Sequence, residues 1–102
     1  MAANLFTILS ATGLPVAYNV FQTPQTPPYI LFRLDDTDNM AADDSVYFER
    51  ENHIIELYSS LRDLTSEGKI ETALNNAGIF WNKDDDWIES EKLYMVAYSI
   101  QT

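Results

Sequence analysis

The chain has 102 residues, of which 46% are hydrophobic and 13% aromatic, with only three Gly and four Pro. A chain of this length supports one hydrophobic core, so we expect a single domain over residues 1–102, and neither a repeat protein nor a disordered one. Its formal charge of −10 repels phosphate backbones, which disfavours ordinary nucleic-acid binding, and the absence of Cys excludes disulfides, zinc-thiolate sites and thiol nucleophiles.

The N-terminal region predicts a short helix followed by a strand. Asn4 is a suitable N-cap, Leu5 and Leu9 share one helical face, and Gly13 ends the pattern. Residues 16–21 then follow a period of two, with Val16, Tyr18 and Val20 on one side, which is typical of a strand.

A proline-rich loop over residues 22–28 leads into a second strand over residues 29–34. This strand is mostly apolar on both faces, and two short helices cannot cover both sides of a sheet in so small a domain. We therefore expect one face to be closed by a neighbouring molecule. The candidate interface residues on that strand are Tyr29, Leu31 and Arg33.

Residues 35–44 contain five Asp, which predicts an exposed acidic connection. These candidate channel or loop residues are Asp35, Asp36, Asp38, Asp43 and Asp44. Residues 45–60 are rich in β-forming side chains but have a polar middle. Two interpretations fit this stretch: one long strand with a bulge, or a flared hairpin arm that narrows into a core strand.

The C-terminal region predicts a helix over residues 63–77, a short strand over residues 79–83, a turn at residues 84–86 and a last strand over residues 91–100. The element order is therefore α-β-β-β-α-β-β. We expect an α+β domain with a mainly antiparallel sheet of about five strands and two helices on one face.

The sequence offers little chemistry, so we expect no catalytic, cofactor-binding or metal-binding residues. His53 lies in a strand-like stretch with no nucleophile paired to it, which predicts a partly buried or surface strand histidine. Asp36 and Asp38 match the first two ligand positions of an EF-hand loop, but Met40 stands where the third ligand belongs. No run approaches the roughly 20 apolar residues of a membrane span.

Several short stretches follow one another over nearly the whole chain. They are residues 14–18 after the first helix, 28–30 opening the second strand, 53–60 followed by Arg62 and Asp63, Ile70 and Glu71 with Leu74, 78–80, and 89–94 with Ala97 and Tyr98. In this order and spacing they resemble the tail-completion, or tail-terminator, proteins of long-tailed bacteriophages and prophages.

The resemblance implies a non-enzymatic virion protein. Such a protein forms a ring, usually hexameric, that caps the tail tube at its head-proximal end and presents the head–tail joining surface. The implied partners are further copies, the tail tube protein and connector or neck proteins, with assembly in the host cytoplasm and DNA passing through the channel without adhering.

Three alternatives stay open at this point. A neighbouring head–tail joining protein of the neck has a similar role. A small acidic protein without Cys also fits a DNA mimic that inhibits a host nuclease or immunity complex. An enzyme is the third alternative, although no constellation of residues supports it.

Overall fold

The N-terminal helix α1 (Leu5–Ser10) begins as its sequence predicts. The computed structural model describes residues 4–42 and 45–101, and the side chains of residues 4–37 and 51–101. Asn4 caps the helix by accepting a hydrogen bond from the Thr7 N–H at 3.2 Å, and Leu5 and Leu9 are buried. Gly13 follows with a φ of 84°, a left-handed conformation that glycine adopts without strain.

Strand β1 (Val16–Tyr18) pairs with β2 (Tyr29–Ala42) in parallel, in register from Val16 opposite Ile30. The proline-rich loop over residues 19–28 carries the chain back to the start of the neighbouring strand, which makes this parallel pairing possible. The sheet is therefore mixed, although its other three pairings are antiparallel.

The predicted acidic connection at residues 35–44 is wrong for most of its length. Strand β2 continues to Ala42, and β3 (Ser45–Ser59) pairs with it antiparallel from Ala42 opposite Ser45 to Tyr29 opposite Tyr58. Asp35 and Tyr47 are extra residues at two register shifts in this ladder. The backbone hydrogen bonds of a long hairpin override the low strand propensity of Asp, and Asp43 and Asp44 lie outside the described residues.

Helix α2 (Leu64–Asn76) confirms the predicted second helix. Asp63 caps its first turn by accepting a hydrogen bond from the Ser66 N–H at 3.0 Å and another from the Ser66 hydroxyl at 2.8 Å. These two bonds hold the pKa of Asp63 below its usual value. After the helix, Gly78 has a φ of 71°, which turns the chain towards β4.

Strand β4 (Trp81–Ile88) contains Asp84, Asp85 and Asp86, so the predicted turn at residues 84–86 is wrong. The turn lies instead at residues 89–92, before β5 (Leu93–Gln101), and Lys92 has a φ of 54° there. Because β4 is an edge strand with one neighbour, its outward positions tolerate charge.

The five strands are ordered β1-β2-β3-β5-β4, and both helices pack on one face of the sheet. Side chains from every second sheet position meet α1 and α2 in one core, in agreement with the predicted α+β class. The buried core residues are Leu5, Leu9, Ile30, Phe32, Ile55, Leu57, Ile70, Leu74, Ile79, Val96, Tyr98 and Ile100.

Candidate assembly surface

The opposite face of the sheet carries no helix among the described elements, and we call it the helix-free face. It is made by the residues that alternate with the core positions of the strands, because successive side chains of a strand point to opposite faces. Its middle comes from the three central strands, and β4 adds Asp84 and Asp86 at one edge. All of them are partly exposed. The central strands contribute Tyr29, Leu31 and Arg33 from β2, Ile54, Glu56 and Tyr58 from β3, and Met95, Ala97 and Ser99 from β5.

Three aromatic rings anchor one end of this face. The rings of Tyr29 and Tyr58 stack with their centroids 5.2 Å apart, and Phe21 from the proline-rich loop packs edge-on against Tyr29 at 5.5 Å. The Tyr58 hydroxyl donates a hydrogen bond to Oε1 of Glu56 at 3.0 Å. Burial raises the pKa of both tyrosines, and nearby carboxylates, Glu91 for Tyr29 and Glu56 for Tyr58, raise it further. Both hydroxyls therefore stay protonated and remain hydrogen-bond donors at neutral pH.

One predicted interface residue, Arg33, lies beside a predicted acidic residue, Asp35, where β2 leaves the five-stranded sheet. Nη1 of Arg33 lies 3.7 Å from Oδ1 of Asp35, and the two side chains are 43% and 51% exposed. Asp36 is also exposed and accepts a hydrogen bond from the Asn52 side chain. Asp38 lies on β2, opposite Arg50 in the ladder.

Sequence reasoning missed a second acidic group on the helix-free face. The register places Glu56 and Asp84 on either side of Ala97, and Asp86 opposite Met95. The two-residue period of residues 81–88 could have indicated this group. It puts Trp81, Lys83, Asp85 and Trp87 on one face of the strand, and Asp84 and Asp86 on the opposite face. Three consecutive Asp residues obscured that period.

The same hairpin extends beyond the sheet. β5 pairs with β3 only from Asn52 onwards, so residues 45–51 of β3 pair with β2 alone. We call residues 36–42 and 45–51 the arm. The fifteen residues of β3 are about 50 Å long at about 3.3 Å per residue, which accounts for the 51 Å longest extent of the molecule.

A buried carboxylate on the helix side ties α2 to β4 and β5. Glu67 is 1% exposed. Its carboxylate accepts hydrogen bonds from Arg62 Nε at 3.1 Å and Lys83 Nζ at 3.0 Å. Lys83 Nζ also donates to Glu71 Oε2 at 2.8 Å, as does the Tyr98 hydroxyl at the same distance. Hydrogen bonds to Glu71 and then Glu67 raise the pKa of Lys83, and burial raises that of Tyr98. Both carboxylates, those of Glu67 and Glu71, therefore accept hydrogen bonds from neighbouring side chains, and the cluster has a structural role in joining α2 to the sheet.

His53 takes the position predicted for it, on β3 opposite Ile100 with a side chain that is 11% exposed. Its Nε2 atom lies 3.9 Å from Oε1 of Glu51. Within residues 4–42 and 45–101, no group of three or more His, Asp or Glu side chains is arranged to hold a metal ion. The helices in this part of the chain are also too short or too polar to cross a membrane.

No family model matches this sequence, and no curated protein does. A solved structure with a similar fold comes from the virion of a native gene transfer agent (GTA) particle. The similarity has a TM-score of 0.61 and spans 91% of this chain and 81% of that chain, at 13% sequence identity. This chain shares its fold with a virion protein.

Proposed function

We propose that this chain is a structural protein of a phage-like virion and not an enzyme. The observation that carries the proposal is the fold, which resembles that of a gene transfer agent virion chain over 91% of the present sequence. The helix-free face supports it as well, because partly exposed aromatic and aliphatic side chains on one sheet face are typical of a surface that another protein covers.

Within the virion, the proposed role is a ring, hexameric by resemblance, that caps the tail tube at its head-proximal end. The ring also provides the surface to which the head joins. Its partners are further copies, the tail tube protein and connector or neck proteins, and it reaches the virion neck after assembly in the host cytoplasm. Neighbours in a ring meet head to tail, so each copy must carry two different, complementary surfaces. The helix-free face, with Tyr29 and Leu31 as anchors and Arg33 beside them, supplies one of these surfaces.

The acidic charge has a proposed role in DNA passage. Six copies with a charge of −10 each would give the ring a strongly negative field before counterions. Asp35 and Asp36 are exposed where the arm leaves the sheet, and we place them at the channel together with Asp38, Asp43 and Asp44. Acidic side chains that line the channel form no ion pairs with DNA phosphates. DNA would therefore move through the channel without ion pairs that must be broken as it advances.

Light scattering after size-exclusion chromatography, with and without the tail tube protein, tests the proposal. We expect a closed oligomer of defined number, alone or on addition of the tube protein. Replacing Tyr29 and Leu31 with Ser should reduce assembly. The matched control replaces Leu61 and Leu64 with Ser, since these are 76% and 67% exposed and lie off the helix-free face. A monomer under all conditions that binds a DNA-handling enzyme would contradict the proposal and favour a DNA mimic.

A further inference from the structure

Gly68 is a helix residue that the isolated chain does not require. It is exposed inside α2, and its backbone does not have the positive φ found at Gly13 and Gly78. A Cβ atom at this position would meet no other atom within 4 Å. Glycine in a helix interior is less favourable than alanine by a factor of about five in the folding equilibrium. The fold therefore loses stability at Gly68 and gains nothing inside the molecule in return.

Gly68 lines an open groove between α1 and α2. The residues that α2 contributes are spaced three or four positions apart, so they share one face of the helix. Most of the lining side chains are small. They include Ala11 and Thr12 after α1, and Thr65, Gly68, Thr72 and Ala73 on α2. Another molecule can therefore come close to the α2 backbone here, and a point of close approach is a physical reason for glycine.

Lys69 gives this groove a positive charge, and no carboxylate is among its lining residues. It is exposed. Of the Lys and Arg side chains that the structure describes, Lys69 alone forms no ion pair, although its charge acts on Asp63 at longer range. The paired cations are Arg33, Arg62, Lys83 and Lys92. Lys69 therefore remains available to a carboxylate of another molecule.

The helix-free face has the opposite charge balance. It carries Glu56, Asp84 and Asp86 against the single cation Arg33, which is already paired with Asp35. Within the described side chains, none of those three carboxylates forms an ion pair. The face also has large side chains, the tyrosines among them, where the groove has small ones. The two surfaces lie on opposite sides of the sheet and are complementary in charge and in side-chain size.

We propose that the groove between α1 and α2 of one copy packs on the helix-free face of the next copy, with Lys69 beside Glu56 and Asp84. The inference rests on the proposed ring and names the second of its two complementary surfaces. Tyr29 and Tyr58 then lie over the small residues around Gly68. Because the two surfaces are on opposite sides of one sheet, each copy presents one of them to each neighbour, as a head-to-tail ring requires.

The dimensions of the two surfaces agree. The 13 residues of α2 make a helix about 20 Å long at about 1.5 Å per residue. Five strands about 4.8 Å apart make the helix-free face about 20 Å wide. A helix of this length crosses the face from Tyr29 on β2 to Asp84 on β4, so the aromatic and the charged contacts form together.

A side chain added at position 68 tests the steric part of the inference. Gly68→Gln extends into open space in the isolated chain, so the urea midpoint of the dilute monomer should rise. The same variant should weaken assembly by about tenfold or more in light scattering, because the added side chain occupies the place of the neighbour. Ala77→Gln is the matched control and should leave assembly unchanged, since Ala77 is exposed at the end of the same helix and does not line the groove.

An exchange of charges tests which surface covers the groove. Lys69→Glu and Glu56→Lys should each weaken assembly by about tenfold or more. A chain that carries both changes should assemble about fivefold better than either single variant, because the ion pair between copies re-forms with its signs exchanged. Circular dichroism establishes that each variant is folded before assembly is measured.

Three results would overturn the inference. A Gly68→Gln monomer less stable than wild type would show that the fold itself requires the glycine. A Gly68→Gln chain that forms the ring as well as wild type would show that the groove is uncovered, and exchanged charges without recovery would show that another surface covers it. With a wild-type ring, each of these results leaves the proposed function standing and refutes the contact. A wild-type chain that is monomeric with and without the tube protein would refute both.

Discussion

Replacing Lys83 with Met should destabilise the fold more than neutralising the buried carboxylate that Lys83 contacts. Glu67 is 1% exposed, whereas the Lys83 side chain is 32% exposed and lies on edge strand β4. The Glu67 carboxylate is therefore desolvated, whereas the Lys83 ammonium group still contacts water. Met matches the length of the lysine stem and removes only the charge and its hydrogen bonds.

The size of the expected destabilisation can be worked out from the Lys83–Glu67 distance. At 3.0 Å and an effective dielectric constant of about 20, the attraction between Lys83 and Glu67 is about 5.5 kcal/mol, and the burial of the carboxylate opposes it with several kcal/mol. In Lys83→Met the Glu67 carboxylate stays buried, and Arg62 is its remaining close cation. We therefore expect the free energy of unfolding to fall by about 2–3 kcal/mol. Glu67→Gln should cost about 1 kcal/mol, because Lys83 keeps Glu71 and water as partners and only the hydrogen bonds to residue 67 weaken.

Urea unfolding at pH 7, followed by tryptophan fluorescence, measures both changes, and Trp81 lies 5.8 Å from Lys83 Nζ to report on the site. The double variant should cost less than the sum of the two single variants, since the buried charge is gone. Lys92→Met is the control and should change nothing measurable, because Lys92 and its partner Glu89 are each 71% exposed. A larger loss for Glu67→Gln than for Lys83→Met would refute the reasoning, since burial of the carboxylate would not then control the energetics.

Three further predictions concern assembly, capping and DNA passage. Replacing Tyr29 and Leu31 with Ser should weaken assembly at least tenfold in light scattering while the monomer stays folded, because buried anchors contribute more than 1 kcal/mol each; unfolding would place them in the core instead. Asp63→Ala should cost about 1 kcal/mol at pH 7 and Asp63→Asn less. Because the folded pKa of Asp63 lies below 3.8, its ionic stabilisation is present above that pH and disappears as the pH falls through the folded value, which urea titrations between pH 3 and pH 7 will measure. Charge reversal of Asp35 and Asp36 to Lys should leave tail length unchanged and slow DNA ejection; normal ejection with aggregation would favour a role in solubility alone.

The local elements were predictable because their signals are local. Asn4 and Asp63 cap the two helices where their sequences predict, and the alternation from Tyr94 to Ile100 marks the buried face of the last strand. Tyr29, Leu31 and Arg33 were expected on a sheet face that the helices leave open, and the structure places them on that face. Periodicity and capping depend only on neighbours in the chain, so one sequence is sufficient for them.

Pairing between distant segments was decided only in three dimensions. Residues 35–42 and 84–86 are rich in Asp and have weak strand propensity by themselves, yet each lies in a strand because a partner strand supplies its hydrogen bonds. The parallel pairing of β1 with β2, the acidic group of Glu56 and Asp84, and the burial of Glu67 between Arg62 and Lys83 also depend on residues far apart in the chain. The sequence determines which residues favour a helix or a strand. The backbone groups of a strand, however, exchange hydrogen bonds with water for hydrogen bonds with a neighbouring strand, and tertiary structure alone determines which strand that is.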